Sequence, residues 1–131
     1  MPYALPALTT LAALLLYVVM TINVGRARAR FKIDAPAMTG DPGFERVYRV
    51  QMNTVEQLVA FLPALWLFAV FVSPSWAATV GTVWIIGRIV YAIGYYRAAE
   101  KRSAGFGLTI GAFSVLWVGA LWGAVRTLLQ G

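Results

Sequence analysis

Long stretches without a charged side chain leave this chain few possible folds. Residues 1–25 and 103–125 contain no Asp, Glu, Lys or Arg, and neither does the apolar run Leu58–Val72. With their flanks, these stretches are long enough to cross a bilayer as helices, where every backbone group must be hydrogen-bonded internally. A chain of 131 residues has room for four such helices and little else. We therefore predict an all-α membrane protein, a four-helix transmembrane bundle forming a single domain over 1–131, with helices at about 3–30, 44–72, 75–102 and 105–129.

The composition supports this class and excludes several kinds of function. Hydrophobic residues make up 60% of the chain and charged residues 12%, which would leave a soluble domain with too much exposed apolar surface. The net charge of +6 lies beside hydrophobic runs, so we expect contact with membrane lipid and no nucleic acid. The chain has no cysteine and no histidine, which excludes disulfides, thiolate or histidine metal sites and histidine triads. We expect no metal cofactor.

The basic residues also predict an orientation. With four spans, the loops 26–43 and 97–105 lie on one side of the membrane. An excess of Lys and Arg marks the cytoplasmic side, so we predict an integral, multi-pass protein with these loops cytoplasmic and both termini opposite. Nine of the eleven Lys and Arg residues fall on that side when helix ends are counted: Arg26, Arg28, Arg30, Lys32, Arg46, Arg49, Arg97, Lys101 and Arg102.

The second predicted helix carries a polar stripe where it enters the membrane. Its side chains share an arc of about 80° on one helix face: Arg46, Arg49, Asn53 and Glu56. Ionisable groups inside a span are costly and usually face the bundle interior or a watery cavity. Two interpretations follow. One is a structural Arg–Glu pair that fixes helix packing, and the other is a pocket for a charged, zwitterionic ligand.

The third predicted helix carries a similar stripe. Arg88, Tyr91, Tyr95 and Arg102 share an arc of about 60° if the helix continues as far as residue 102. Both stripes approach the membrane from the predicted cytoplasmic side, so we expect them to face one another. Asn23, near the end of the first helix, is either an interhelical hydrogen-bond partner or a pocket residue.

The residue types in the stripes suit a ligand with carboxylates and an ammonium group. Arginine binds carboxylates through paired, charge-assisted hydrogen bonds, Glu56 can bind an amine, and Asn53 and the tyrosines supply neutral hydrogen bonds. Glutathione has this pattern together with a thiol, although the residues alone leave other anionic peptides and lipids open. A guanidinium beside the thiol would favour the thiolate, whose free pKa is near ~8.5. The thiolate would attack an electrophile dissolved in the bilayer.

The polar segments resemble one protein family. FERVYRVQMNTVEQ at 44–57, the preceding PAMTGDPG loop and RIVYAIGYYRAAEKR at 88–102 resemble the membrane-associated proteins in eicosanoid and glutathione metabolism, the MAPEG family. The chain looks most similar to the branch of microsomal glutathione transferases and leukotriene-forming synthases. The resemblance covers nearly the whole chain. It implies a homotrimer with glutathione as cosubstrate, bound between neighbouring subunits near the cytoplasmic face.

The resemblance also implies roles for individual residues. Arg102 matches the arginine credited with thiolate stabilisation, and Ser103 is a second catalytic candidate whose hydroxyl would bond the thiolate. A tyrosine of the leukotriene-forming members is replaced by Gln57 in this chain. Gln51 lies off the face of the stripe and would act through a neighbouring subunit. The glutathione-binding residues that the resemblance implies are Arg28, Arg49, Gln51, Asn53, Glu56, Tyr91 and Tyr95.

These observations predict a membrane-bound glutathione transferase that conjugates glutathione to hydrophobic electrophiles, as in detoxification. Reduction of lipid hydroperoxides is a secondary expectation. One alternative is a non-catalytic family member that binds lipid or a partner protein, although such a protein need not keep Arg102. Another is a small four-span transporter. Transporters of that kind usually carry a carboxylate in the first span, and residues 1–25 have none.

Overall fold

Four long helices account for almost the whole molecule. A computed structural model covers residues 1–131, and all four of its helices are long and apolar enough to cross a membrane. The chain is therefore an integral, multi-pass, all-α membrane protein, as predicted. The elements in chain order are α1 (Ala4–Phe31), α2 (Pro42–Phe71), α3 (Pro74–Arg97), a short 3₁₀ turn (Ala99–Arg102) and α4 (Ser103–Gln130).

The starts of α2 and α3 follow from local sequence. Asp41 precedes α2, and its Oδ1 accepts a hydrogen bond of 2.7 Å from the backbone N–H of Gly43. Ser73 precedes α3, and its Oγ accepts a bond of 3.2 Å from the backbone N–H of Trp76. In both helices a proline follows the capping residue, at the position where its missing N–H costs no helical bond. These caps mark where the α1–α2 and α2–α3 connections end and the next helix begins.

The apolar core lies where α2, α3 and α4 meet. At its centre the rings of Phe61 and Trp84 stack with centroids 3.9 Å apart, and Leu65 and Leu116 are fully buried beside them. Aromatic stacking and close packing hold helices together where lipid supplies no hydrophobic driving force. The core therefore ties α3 to both α2 and α4 in the middle of the bundle.

The first helix packs on this core more loosely. It exposes a row of leucine and valine side chains along most of its length, as a helix facing lipid or a neighbouring subunit does. Polar bonds anchor it at two levels: Trp66 Nε1 donates to Thr10 Oγ1 at 3.0 Å, and Asn23 Nδ2 donates to the Tyr96 hydroxyl at 3.2 Å. Of the two roles considered for Asn23, the structure thus shows the interhelical hydrogen bond.

Glycine allows α3 and the start of α4 to touch backbone to backbone. A Cβ atom on Gly105 would overlap the backbone of Tyr91. A Cβ atom on Gly94 would overlap the carbonyl of Lys101. Only glycine permits such an approach. As a result, the first turn of α4 lies directly against the segment of α3 that carries the tyrosines.

The prediction that the third helix continues to residue 102 is wrong. The helix ends at Arg97, because Ala98 adopts an extended conformation with φ −164° and ψ 141°. The 3₁₀ turn then folds back over the end of α3, which the bare backbone of Gly94 makes possible. Consequently α4 begins at Ser103 rather than 105, and Arg102 belongs to the connection and not to the face of α3.

Candidate functional site

A polar cavity of about 520 Å³ opens where α2, α3 and the start of α4 converge. Six of its eight lining residues are site residues predicted from the sequence, and they come from all three helices and the 3₁₀ turn. The polar cavity is lined by Arg49, Asn53, Tyr91, Tyr95, Arg102, Ser103, Phe106 and Gly107.

Helix spacing brings the two polar stripes together. Arg49 and Asn53 are four residues apart on α2, and Tyr91 and Tyr95 are four apart on α3, so each pair presents one face. The two tyrosine rings are tilted against each other with centroids 5.5 Å apart. The sequence-based expectation that these stripes face one another is thus confirmed for these four residues.

Arg102 reaches the cavity by a route the sequence did not suggest. Its Nη1 donates to the carbonyl of Ala99 at 2.8 Å, within the 3₁₀ turn, and its guanidinium lies 5.7 Å from the ring centroid of Tyr95. Ser103 follows as the first residue of α4. The positive end of the α4 dipole therefore lies beside the Arg102 cation, which makes this part of the cavity favourable to an anion.

Arg49 and Glu56 form the ion pair that one interpretation of the stripe requires. Arg49 Nη2 lies 3.2 Å from Glu56 Oε1, and both side chains are about half exposed, at 49% and 53%. The pair lies within α2, so it does not join two helices. Exposed pairs of this kind contribute about 0–1 kcal/mol to stability. The Arg49–Glu56 pair therefore contributes little to helix packing. Glu56 itself does not line the cavity.

Two other predicted residues lie outside the cavity of the single chain. Arg28 Nη1 donates to the carbonyl of Ala37 at 2.8 Å, and its guanidinium lies 5.0 Å from the Phe44 ring centroid, so it braces the α1–α2 loop. Gln51 Nε2 donates to Thr21 Oγ1 at 2.9 Å, on the side of α2 that faces α1. The contacts of Arg28 and Gln51 with a ligand remain a prediction.

Sequence reasoning missed two residues of this region. Phe106 and Gly107 line the cavity because they follow Ser103 by three and four positions on α4, a relation that a helix start at 103 would have revealed. Arg88, predicted as part of the stripe on α3, does not line the cavity but contacts two residues that do, Asn53 and Tyr91. Its Nη2 donates to Asn53 Oδ1 at 2.8 Å and to Thr54 Oγ1 at 3.1 Å.

Further hollows lie on either side of the cavity along the bundle. Towards the α1–α2 loop the cavity adjoins a hollow of about 590 Å³ that shares Arg49 and Tyr95 and adds charged residues of both signs, including Arg46, Glu45 and Glu100. Further along α2 and α4 lies an apolar groove of about 400 Å³. The apolar groove is lined by Val59, Ala60, Pro63, Ala64, Leu67, Phe113, Trp117, Ala120, Leu121 and Ala124.

Comparison with known proteins identifies the family. The model of the MAPEG family matches residues 6–122, which include every residue of the polar cavity. The chain belongs to the MAPEG family. This confirms the family predicted from the polar strings on the second and third helices.

Several curated proteins are similar to this MAPEG chain over most of its length. An uncharacterised protein of Synechocystis sp. is 55% identical over 125 residues, which cover 95% of this chain and 91% of that protein. Human microsomal glutathione S-transferase 2 is 39% identical over 109 residues, covering 83% and 74% respectively. Leukotriene C4 synthase of Bos taurus is 40% identical over 101 residues, covering 77% and 67%.

Proposed function

We propose that this protein is an integral membrane glutathione transferase that conjugates glutathione to hydrophobic electrophiles. One observation carries the proposal: along a single interface between α2 and α4, a cationic cavity gives way to an apolar groove. Such an interface can hold a charged thiol peptide at one end and a membrane-dissolved reactant at the other. The similarity to microsomal glutathione S-transferase 2 and leukotriene C4 synthase supports the same chemistry.

The polar cavity has the groups that the peptide needs. Arg49 is the cation for a glutathione carboxylate, and Asn53, Tyr91 and Tyr95 offer neutral hydrogen bonds to the peptide. Glu56 does not line the cavity, but its ion pair with Arg49 places it at the edge of the cavity, where it accepts the ammonium group. Arg49 and Glu56 lie 3.2 Å apart, so a cation and an anion are positioned together to bind the carboxylate and the ammonium group at the amino-acid end of the ligand.

Arg102 activates the thiol in this proposal. A free thiol with a pKa near ~8.5 is only a few per cent thiolate at pH 7. The Arg102 cation and the positive end of α4 lower the pKa of the bound thiol, and its proton passes to water. The Ser103 hydroxyl donates a hydrogen bond to the thiolate. The thiolate sulfur then forms a bond to the electrophilic carbon of the second substrate, and in an aryl halide the halide leaves with the bonding pair.

The apolar groove binds the electrophile. Phe113 and Trp117 of α4 face Val59 and Leu67 of α2 across it, so an apolar reactant entering from the bilayer contacts mainly hydrocarbon and aromatic surface. A lipid hydroperoxide would fit the same surface. The thiolate would attack its terminal oxygen and break the O–O bond, giving a sulfenic acid and an alkoxide that takes a proton from water to become the alcohol. A second glutathione then converts the sulfenic acid to the disulfide and water.

The complete site requires more than one chain in this proposal. Arg28 and Gln51 lie away from the cavity of their own chain, and a neighbouring subunit of a homotrimer would bring them to it. The exposed apolar face of α1 suits such an interface. In this proposal the basic loops 26–43 and 97–105 lie on the cytoplasmic side, so the polar cavity opens towards the cytoplasm.

Conjugation of glutathione to an aryl halide by the detergent-purified protein tests the proposal. We expect turnover by the wild type and a loss of about 100-fold or more in Arg102→Ala, the size usual for removing a transition-state charge partner. Thiolate absorbance of bound glutathione should appear at lower pH in the wild type than in Arg102→Ala, because the cation favours the anionic sulfur. Affinity for the peptide should fall much less than turnover.

Lys101→Ala is the matched control, because Lys101 is an exposed neighbouring cation that does not line the cavity. It should behave as the wild type does. Binding of glutathione without turnover towards any electrophile would support the alternative, a non-catalytic member that binds lipid or a partner. Equal losses in Lys101→Ala and Arg102→Ala would show that net charge, and not a positioned guanidinium, favours the thiolate.

A further inference from the structure

Arg88 is the buried charge that the proposed mechanism does not use. Its side chain is fully buried in α3, one turn before Tyr91, and its Nε and Nη1 have no hydrogen-bond partner in the chain. The one ion pair of the chain joins Arg49 to Glu56, so no carboxylate neutralises Arg88. Burying an unpaired cation is costly. A role in the site would account for its position.

The hydrogen bonds of Arg88 determine how Asn53 presents its amide. Arg88 Nη2 lies 2.8 Å from Asn53 Oδ1 and 3.1 Å from Thr54 Oγ1. A guanidinium has donors and no acceptor, so the amide must turn its oxygen towards Arg88. The NH₂ group of Asn53 then lies on the opposite side of the amide, and Asn53 lines the polar cavity. With its oxygen bonded to Arg88, the polar group that Asn53 has left for a ligand is the NH₂ donor.

The charge of Arg88 also acts on the cavity through Tyr91. The guanidinium carbon lies 4.1 Å from the Tyr91 ring centroid, and the ring lines the cavity. The Arg88 guanidinium therefore lies against the face of the Tyr91 ring. Its surroundings have a low dielectric constant, so its electric field is weakly screened. An anionic group of a ligand in the cavity would supply the negative charge that the chain does not.

We propose that Arg88 is a positioning residue of this site, which holds the Asn53 amide so that its NH₂ group binds a carboxylate or carbonyl oxygen of the peptide. The inference rests on the proposed function and specifies how the same cavity recognises its ligand. The competing explanation is that Arg88 only joins α3 to α2. The two differ because a positioning role requires the NH₂ group of Asn53, whereas a joining role requires only its oxygen.

Asn53→Asp separates the two roles. It keeps an oxygen for Arg88, gives that cation a carboxylate, and removes the NH₂ donor. Binding of S-methylglutathione, which has no thiol, is measured calorimetrically on the full detergent-purified chain, and thermal unfolding is followed in parallel. We expect a melting temperature at or above that of the wild type and an affinity about tenfold or more lower. Unchanged affinity would overturn the inference.

A double-mutant cycle tests whether Arg88 acts through Asn53. Arg88→Met and Asn53→Ala should each lower the affinity for S-methylglutathione by about tenfold. Together they should lower it little further, because both changes remove the same oriented amide. Additive losses would mean that the two residues act independently, and the inference would be wrong.

Thr54→Val is the matched control, since it removes the other acceptor of Arg88 and leaves Asn53 in place. We expect it to lower the melting temperature while affinity stays within about twofold of the wild type. An affinity loss in Thr54→Val as large as in Arg88→Met would favour the joining role. No binding of S-methylglutathione to the wild type would overturn the proposed function itself, whereas wild-type binding with unaffected variants would overturn only the role of Arg88.

Discussion

The polar cavity and the apolar groove lie one after the other along the same two helices, yet they share no lining residue. On α2 the change occurs between Asn53 and Val59, six residues that span about 9 Å of helix axis. One helix interface can therefore carry a charged region and an apolar region at different positions along its length, without a separate domain for each.

The two regions are also held together differently. The groove lies beside tightly packed aromatic and aliphatic side chains, with Phe61 and Trp84 stacked at 3.9 Å. At the cavity, Gly105 brings the backbone of α4 against that of Tyr91, and Arg88 bonds α3 to α2. The cavity therefore depends on a few specific contacts, whereas the groove depends on distributed packing.

The largest effect is expected from Gly105→Ala. The added Cβ would overlap the backbone of Tyr91, which cannot yield as a flexible side chain does. Because overpacking costs about 1–3 kcal/mol or more, we expect a marked drop in melting temperature and loss of glutathione binding. Thermal unfolding and calorimetric binding measure the two effects.

Gly111→Ala is the control for this change. Gly111 is exposed on α4, and a Cβ there would meet nothing within 4 Å. Alanine at this site should leave binding intact and stabilise the helix by about 0.5–1 kcal/mol. If the two alanine variants have the same melting temperature, close backbone contact at Gly105 does not stabilise the cavity.

An intermediate effect is expected from Glu56→Gln. The pair with Arg49 is about half exposed, so its loss should cost less than about 1 kcal/mol of stability. A carboxylate that receives the ligand ammonium contributes more, and glutathione affinity should fall about tenfold. Calorimetric binding and thermal unfolding on the same preparation distinguish the two. A lower melting temperature with unchanged affinity would identify a structural pair.

The smallest effect is expected from Trp117→Ala in the groove. Loss of aromatic surface should raise KM for a bulky apolar electrophile several-fold, by about 1 kcal/mol of binding, while glutathione affinity stays unchanged. Steady-state kinetics with varied electrophile measure this. Trp122→Ala is the control, because Trp122 lies on the same helix, is exposed, and does not line the groove. An equal rise in KM for both variants would mean that the electrophile binds outside the groove.

Much of the site was predictable because helix periodicity places residues reliably. The spacing of Arg49 and Asn53, and of Tyr91 and Tyr95, required only that each segment be helical, and all four line the cavity. Arg102 also lines this cavity, although the prediction that it belongs to the third helix was wrong. Its placement depends on the turn after Arg97, and the short-range pattern of that segment does not distinguish a helix from a fold-back.

The sequence by itself determined four membrane-spanning helices and the faces that carry polar groups, because apolar length and residue spacing are local properties of a chain. The tertiary structure alone decided that Gly94 and Gly105 admit neighbouring backbone, that Arg102 reaches the cavity from a connection, and that Arg88 hydrogen-bonds the Asn53 amide. These depend on which segments come close in space. Local pattern cannot specify that, because each contact joins residues from two separate elements.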